Sequence, residues 1–286
     1  MHGSLTVLQA IVLGLTQGLT EFAPVSSSGH LILVPWLFNW SILQDPQLNK
    51  TFDVALHMGT FVGALAYFWS DVVRYVRAFL GSIRRRSVHT VDERLALYLI
   101  IGTIPGALAG AAFEGVIEDN LGKPWLIATM LVVFGIILYV VDQRARMDRA
   151  LPDLGVRDAV IIGLAQAVAL QPGVSRSGVT ITAARALGLT RETAARFSFL
   201  LSLPIIAGAG LFKGASVLKN GGLPSGFAAP FLWGFVAAGL SGFLVIWGLL
   251  AYLRRRDFAV FLWYRLAVAA LVFGLIATGV RAASGL

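Results

Sequence analysis

A polar segment broken by proline and glycine occurs twice in a chain that is otherwise apolar. The first copy reads Gln17-Gly-Leu-Thr-Glu21-Phe-Ala-Pro24-Val-Ser26-Ser27-Ser28-Gly29-His30. The second begins 149 residues later and reads Gln166-Ala-Val-Ala-Leu-Gln171-Pro172-Gly173-Val-Ser175-Arg176-Ser177-Gly178-Val-Thr180. Without a gap, Gly14, Gln17, Val25, Ser26, Ser28 and Gly29 fall on Gly163, Gln166, Val174, Ser175, Ser177 and Gly178. Polar, irregular backbone is costly in a bilayer unless it is buried in protein or lines a cavity. The repeat therefore marks the place where function is expected.

The apolar character of the rest is not in doubt. The chain is 57% hydrophobic and 13% charged, with a mean hydropathy of +0.78. A soluble domain of 286 residues needs far more polar surface. There is no cysteine, which excludes disulfides and thiolate metal sites. The net charge of +8 is not read as a nucleic-acid signal, because the arginines cluster between apolar spans. The N-terminus lacks the basic region of a cleavable signal peptide.

A spanning helix needs about 20 mostly apolar residues. The sequence predicts such spans at 53–78, 95–113, 124–141, 196–213, 229–253 and 260–280. Residues 5–39 and 158–187 are apolar at both ends and polar in the middle, with Pro24 and Pro172 at the break. They read as re-entrant hairpins. The arginine-rich loops 74–94, 142–157 and 254–256 then fall on one side, which the positive-inside rule makes cytoplasmic. Both termini and the acidic loop with Glu114, Glu118 and Asp119 fall outside. The reading is thus an all-α polytopic membrane protein with about six full spans. Two re-entrant helical hairpins of inverted topology meet near the midplane. The chain forms one membrane domain over 1–286, with repeat one at about 1–142 and repeat two at about 157–286. The alternative, in which each polar region joins two short full spans, keeps the same parity.

After each proline a new half-helix starts, and a helix N-terminus carries free N–H groups and partial positive charge. Ser27, Ser28 and Ser177 stand where caps belong. Two such N-termini facing one another make an anion site, with Gly29, Gly173 and Gly178 letting backbone approach. Arg176 adds the only fixed cation of either motif, in a planar fork suited to phosphate. Single serines and glycines in membrane helices more often serve packing. An arginine and a glutamate at depth do not fit that account. Gln17 lies one turn from Glu21 on the same face, and His30 is three residues beyond Ser27. Elsewhere, His57 reads as a histidine bonded to a backbone carbonyl, and Asp53 as the cap of its span. Arg185, Arg191 and Arg196 read as topogenic, and His2 and His89 as solvated. Trp36, Trp40, Trp69, Trp125 and Tyr264 read as interfacial anchors.

The Gln17-x-x-x-Glu21 motif, the Pro24-to-His30 run and Pro172-Gly-x-Ser175-Arg176-Ser177-x-x-Thr180 resemble the bacterial undecaprenyl-diphosphate phosphatases of the bacitracin-resistance type. The resemblance spans essentially the whole chain, including His57-Met-Gly-Thr, Phe197 to Pro204 and Tyr264-Arg265. The family pattern admits Glu or Gln at the first position, so Gln17 conforms while supplying one carboxylate fewer. The resemblance implies hydrolysis of undecaprenyl diphosphate to the monophosphate, the lipid carrier for envelope polymers. It implies a bacterial inner membrane, a site open to the periplasmic side, a homodimer and a divalent cation, Mg²⁺ or Ca²⁺. Bacitracin would compete by sequestering the substrate.

On this reading Ser26, Ser28, Gly29, Gly173, Ser175, Arg176, Ser177 and Thr180 bind the diphosphate. Glu21, helped by Gln17, holds the metal. Ser27 is the expected nucleophile with His30 as its base. His30 as nucleophile, or His30 activating water, are the alternatives left open. The rival function is a lipid-phosphate transporter built on the same inverted repeat, and a membrane scaffold is a third.

Overall fold

The computed structural model describes residues 5–40, 46–219 and 226–284. Among these residues it contains eleven α-helices and no strand. They are α1 (Val7–Glu21), α2 (Ser27–Phe38), α3 (Pro46–Tyr67), α4 (Trp69–Arg85), α5 (Val91–Asn120), α6 (Pro124–Arg144), α7 (Val156–Val168), α8 (Arg176–Ala186), α9 (Arg191–Lys219), α10 (Ala228–Leu253) and α11 (Ala259–Ala277). Five of them, α5, α6, α9, α10 and α11, are long and apolar enough to cross a membrane. The protein is an all-α multi-pass membrane protein.

The two polar repeats form helical hairpins, α1–α2 and α7–α8. Shifting α2 by 149 residues places it at 176–187, against an observed α8 of Arg176–Ala186. At 1.5 Å per residue the 15 residues of α1 rise about 22 Å, short of the ~30 Å hydrocarbon core. α1 starts on a capping box between Thr6 and Gln9. It buries Leu13, Gly14, Gln17, Gly18 and Glu21, a single face at helical spacing.

That face packs against α10, and α3 packs against both α10 and α1. The approach is close because the contact residues are small. A Cβ on Gly18 would lie 2.6 Å from the Ala238 carbonyl oxygen. α7 packs on α5 by the same device, and a Cβ on Gly163 would lie 2.6 Å from the Gly102 oxygen. Gly14 and Gly163 are repeat equivalents, so each hairpin docks through the same position onto a long helix from the other half of the chain.

Several expectations need correction. The span over 53–78 is two helices. α3 starts at Pro46 and ends at Tyr67, Phe68 takes a non-helical conformation, and α4 follows. α4 is amphipathic, with Trp69, Val76, Leu80 and Ile83 exposed, Arg77 between them in sequence and Arg84 directly after them. Asp53 lies inside α3 and does not cap it. α5 runs through Asn120, so Glu114, Glu118 and Asp119 belong to a helix end; their side chains lie outside the described residues. His2 also lies outside them, and His89 is exposed. Trp36 is 1% exposed, packs with Ile127 and Leu131, and donates to the Ala282 carbonyl at 3.0 Å. It is a core residue. Trp69 and Trp125 are exposed as expected.

Arg185, Arg191 and Arg196 have structural partners. Arg185 is fully buried and, with Arg191, pairs with Asp142, at 2.7 Å and 2.9 Å. Arg196 pairs with Asp71 at 2.5 Å. A buried charge is tolerated when it is paired and hydrogen-bonded.

Candidate active site

The two hairpin tips meet. The Gly173 N–H donates to Ser26 Oγ at 2.9 Å, and the Ser177 hydroxyl donates to the Ala23 carbonyl at 3.1 Å. Ser26 and Ser175, not Ser27 and Ser177, are the N-caps of α2 and α8. Both sit in a conformation that L-residues rarely adopt, with φ of 74° and 78°. Both accept from the N–H three residues on, Gly29 at 3.3 Å and Gly178 at 3.1 Å. The sequence shift of 149 is thus a shared backbone geometry. The positive φ turns the chain sharply into each half-helix.

The glycines of the motifs serve this contact. A Cβ on Gly29 would stand 3.2 Å from the Gly173 nitrogen, and one on Gly173 2.6 Å from the Ile127 oxygen. Gly173 also has φ of 96°. Gly178 leaves room for the Arg265 guanidinium, 2.8 Å from where its Cβ would be.

Glu21 is the hub of the polar side chains. Its side chain is 3% exposed and forms an ion pair with Arg176. It accepts from the Ser27 hydroxyl at 2.6 Å and from Gln17 Nε2 at 2.9 Å. His57 Nε2 lies 3.6 Å away. The expected Gln17–Glu21 face is therefore present, and Arg176 reaches it from the other repeat. Arg176 also donates to the Ser202 carbonyl at 3.5 Å. Ser27 is half-buried and Ser28 exposed, so the hydroxyls of the first tip border the open side of the cluster.

Ser27 and His30 are not brought together as a pair. His30 Nδ1 lies 2.7 Å from the Ser26 carbonyl oxygen and Nε2 lies 2.8 Å from the Tyr264 hydroxyl. Both ring nitrogens are thus engaged, and the hydrogen-bond acceptor for Ser27 is Glu21. His57 bonds a backbone carbonyl as expected, with Nδ1 2.8 Å from Asp53 O, yet its other nitrogen faces Glu21. Thr180 is buried. Its hydroxyl meets Ser198 Oγ at 2.7 Å and the Arg176 carbonyl at 2.8 Å.

Two residues on α11, Tyr264 and Arg265, belong to the family resemblance but receive no site role from the sequence. Tyr264 is exposed, as an interfacial anchor would be, and it also contacts His30 and stacks on it, with ring centroids 5.6 Å apart. Arg265 is fully buried behind both tips. A signal was present, since a charge in the apolar run 259–277 raises the same question as Arg176.

A hard divalent cation takes oxygen ligands, and Mg²⁺ commonly uses one or two carboxylates with phosphate oxygens and water. Gln17 Oε1 is buried with no hydrogen-bond partner, one turn from Glu21. A buried acceptor without a donor is costly, and a cation would satisfy it. The two residues fit a sparsely ligated cation. Among the described residues no group of three or more His, Asp or Glu gathers for a metal, at this site or elsewhere.

Comparison with known proteins gives one answer. The sequence model of a family described as Bacitracin resistance protein BacA matches residues 10–271. An undecaprenyl-diphosphatase from Pelotomaculum thermopropionicum is 47% identical over 274 residues, covering 96% of this chain and 98% of the relative. One from Moorella thermoacetica is 49% identical over 268 residues, covering 94% and 97%. One from Geobacter sulfurreducens is 46% identical over 265 residues, covering 91% and 94%.

Proposed function

Because this chain belongs to the BacA bacitracin resistance family, we propose that it is an undecaprenyl-diphosphatase. It hydrolyses undecaprenyl diphosphate to undecaprenyl phosphate and inorganic phosphate, which returns the lipid carrier to envelope synthesis. One observation carries the chemistry: a serine hydroxyl held on a buried carboxylate, beside an arginine, between two facing helix N-termini. An anion carrier needs the donors but has no use for a serine poised on a carboxylate.

Each residue has a role that follows from its contacts. Arg176 and the N–H groups at the starts of α2 and α8 bind the diphosphate and stabilise charge on the transferring phosphoryl oxygens. Substrate phosphate draws Arg176 off Glu21. Ser27 attacks the terminal phosphorus, its proton passing to Glu21, and the bond to the bridging oxygen breaks with undecaprenyl phosphate leaving. Water then cleaves the phosphoserine and restores the hydroxyl. This reading gives the role of base to Glu21. His30, tied to Ser26 and Tyr264, supports the turn of the first tip. Ser26 and Ser175 cap the half-helices, and Thr180 fixes α8 against α9. A divalent cation near Gln17 and Glu21 would neutralise phosphate charge when bound.

The same reading sets the protein in a bacterial inner membrane as a homodimer. The first hairpin enters from the periplasmic side and both termini lie there, which the placement of the arginine loops supports. Bacitracin withdraws the substrate and leaves the enzyme untouched. The test is phosphate release from undecaprenyl or farnesyl diphosphate by the purified protein. Release that Ser27→Ala and Arg176→Ala each lower at least about 10²-fold is expected. A well-folded wild type that releases none would overturn the proposal.

A further inference from the structure

Among the described residues Arg265 is the one fully buried arginine whose hydrogen-bond partners are all carbonyl groups. Its Nε donates to Pro24 O at 2.6 Å, Nη2 to Val174 O at 3.3 Å and Nη1 to Leu131 O at 3.5 Å. The other fully buried arginine, Arg185, has the carboxylate of Asp142. No carboxylate among the described residues pairs with Arg265. A guanidinium removed from water without a counter-charge is costly. A cost of that kind calls for a return elsewhere.

Its partners show where. Val174 directly precedes the cap Ser175, and Pro24 stands two residues before the cap Ser26. One planar fork thus grips the same stretch of both tips. Two glycines make room for it. A Cβ on Gly178 would fall 2.8 Å from Nη2, and one on Gly135 of α6 2.9 Å from Cδ.

We propose that Arg265 is a positioning residue of the phosphatase site. It holds the two tips in register, and its unpaired charge adds to the positive potential of the half-helix N-termini at which the diphosphate binds. The inference rests on the hydrolase reading above. It distinguishes Arg265 from Arg176, which touches the phosphate itself. A change at Arg265 weakens anion binding and slows turnover with every first-contact residue still in place.

The test uses purified full-length protein in detergent, with farnesyl diphosphate as substrate and inorganic pyrophosphate as competing anion. Gly135→Ala is the cleanest variant, because its new methyl presses on the Arg265 stem from α6 and touches neither tip. It should lower kcat about 10-fold and weaken pyrophosphate inhibition in the same direction. Arg265→Met should lower kcat about 10²-fold, the scale of a small misplacement of reacting groups. Arg265→Lys keeps the charge and should recover part of that loss. Should Arg265→Met fail to fold, Gly135→Ala and Arg265→Lys decide. Folded variants with wild-type kcat and wild-type pyrophosphate inhibition would overturn the proposal and leave Arg265 a staple for stability alone. Absence of phosphate release by wild-type protein would be a different result, which removes the hydrolase reading itself.

Discussion

Replacing Glu21 by Gln should make the site bind phosphate more tightly while it loses its chemistry. In the empty protein Arg176 is neutralised by Glu21, so any phosphate must compete with a carboxylate for it. Removing one partner of a buried ion pair costs about 3–5 kcal/mol. Arg176 keeps 19% of its side chain exposed, so the lower end, about 3 kcal/mol, applies here. That cost falls on the empty state. An anion that replaces the carboxylate recovers part of it, and recovery of half, about 1.5 kcal/mol, is roughly a tenfold gain in affinity. Ser27 meanwhile loses its proton acceptor, a loss of about 10²–10⁴-fold in rate. The assay is calorimetric titration of inorganic pyrophosphate into each protein with EDTA present, beside thermal unfolding of both. The variant should melt lower when empty and gain more from pyrophosphate. A folded variant that binds pyrophosphate no better than wild type would show that Glu21 does not compete with substrate for Arg176.

Four further outcomes are expected. Ser26 Oγ accepts from N–H groups of both tips and Ser175 Oγ from its own helix alone. Ser26→Ala should cost about 2–4 kcal/mol of stability and Ser175→Ala about 1 kcal/mol, read by unfolding in detergent; the reverse order would refute the clasp. Chelation should abolish turnover, and Gln17→Ala should raise the cation concentration for half-activity about tenfold; an unchanged requirement would remove Gln17 from the cation. Gly163→Ala should cost about 1–3 kcal/mol, since its methyl meets the Gly102 carbonyl; wild-type stability would mean that α5 and α7 yield freely. A reporter fused after residue 286 should score as periplasmic, and a cytoplasmic signal would reverse the orientation.

The hairpins were legible because Pro24, Pro172 and the serine runs break an apolar pattern that needs no break. Gln17, Glu21 and Arg176 were legible because polar atoms at depth demand a reason. Spacing alone puts the caps one or two residues late, since φ at Ser26 and Ser175 is a property of the turn that spacing does not reveal. The break at Phe68 was hidden because apolar residues run through it without interruption; only the spacing of Arg74 and Arg77 hinted at an amphipathic helix. The pairing of His30 with Tyr264 joins residues 234 apart, and no local pattern encodes it. Proximity in sequence pairs Ser27 with His30, whereas the turn at Ser26 hands the Ser27 hydroxyl to Glu21.

The packing of α1 also sets an order of events during synthesis. The first hairpin leaves the ribosome well before α10, on which it docks and which begins at Ala228. Its carboxylate waits for Arg176, 155 residues downstream. Until then Glu21 has no cation from the second tip, and Gly14 and Gly18 have no helix to lie against. A chain that stops before α10 therefore presents a hairpin it cannot seat. An early segment is thus among the last to settle, and through that stage the nascent protein holds Glu21 without its Arg176 partner.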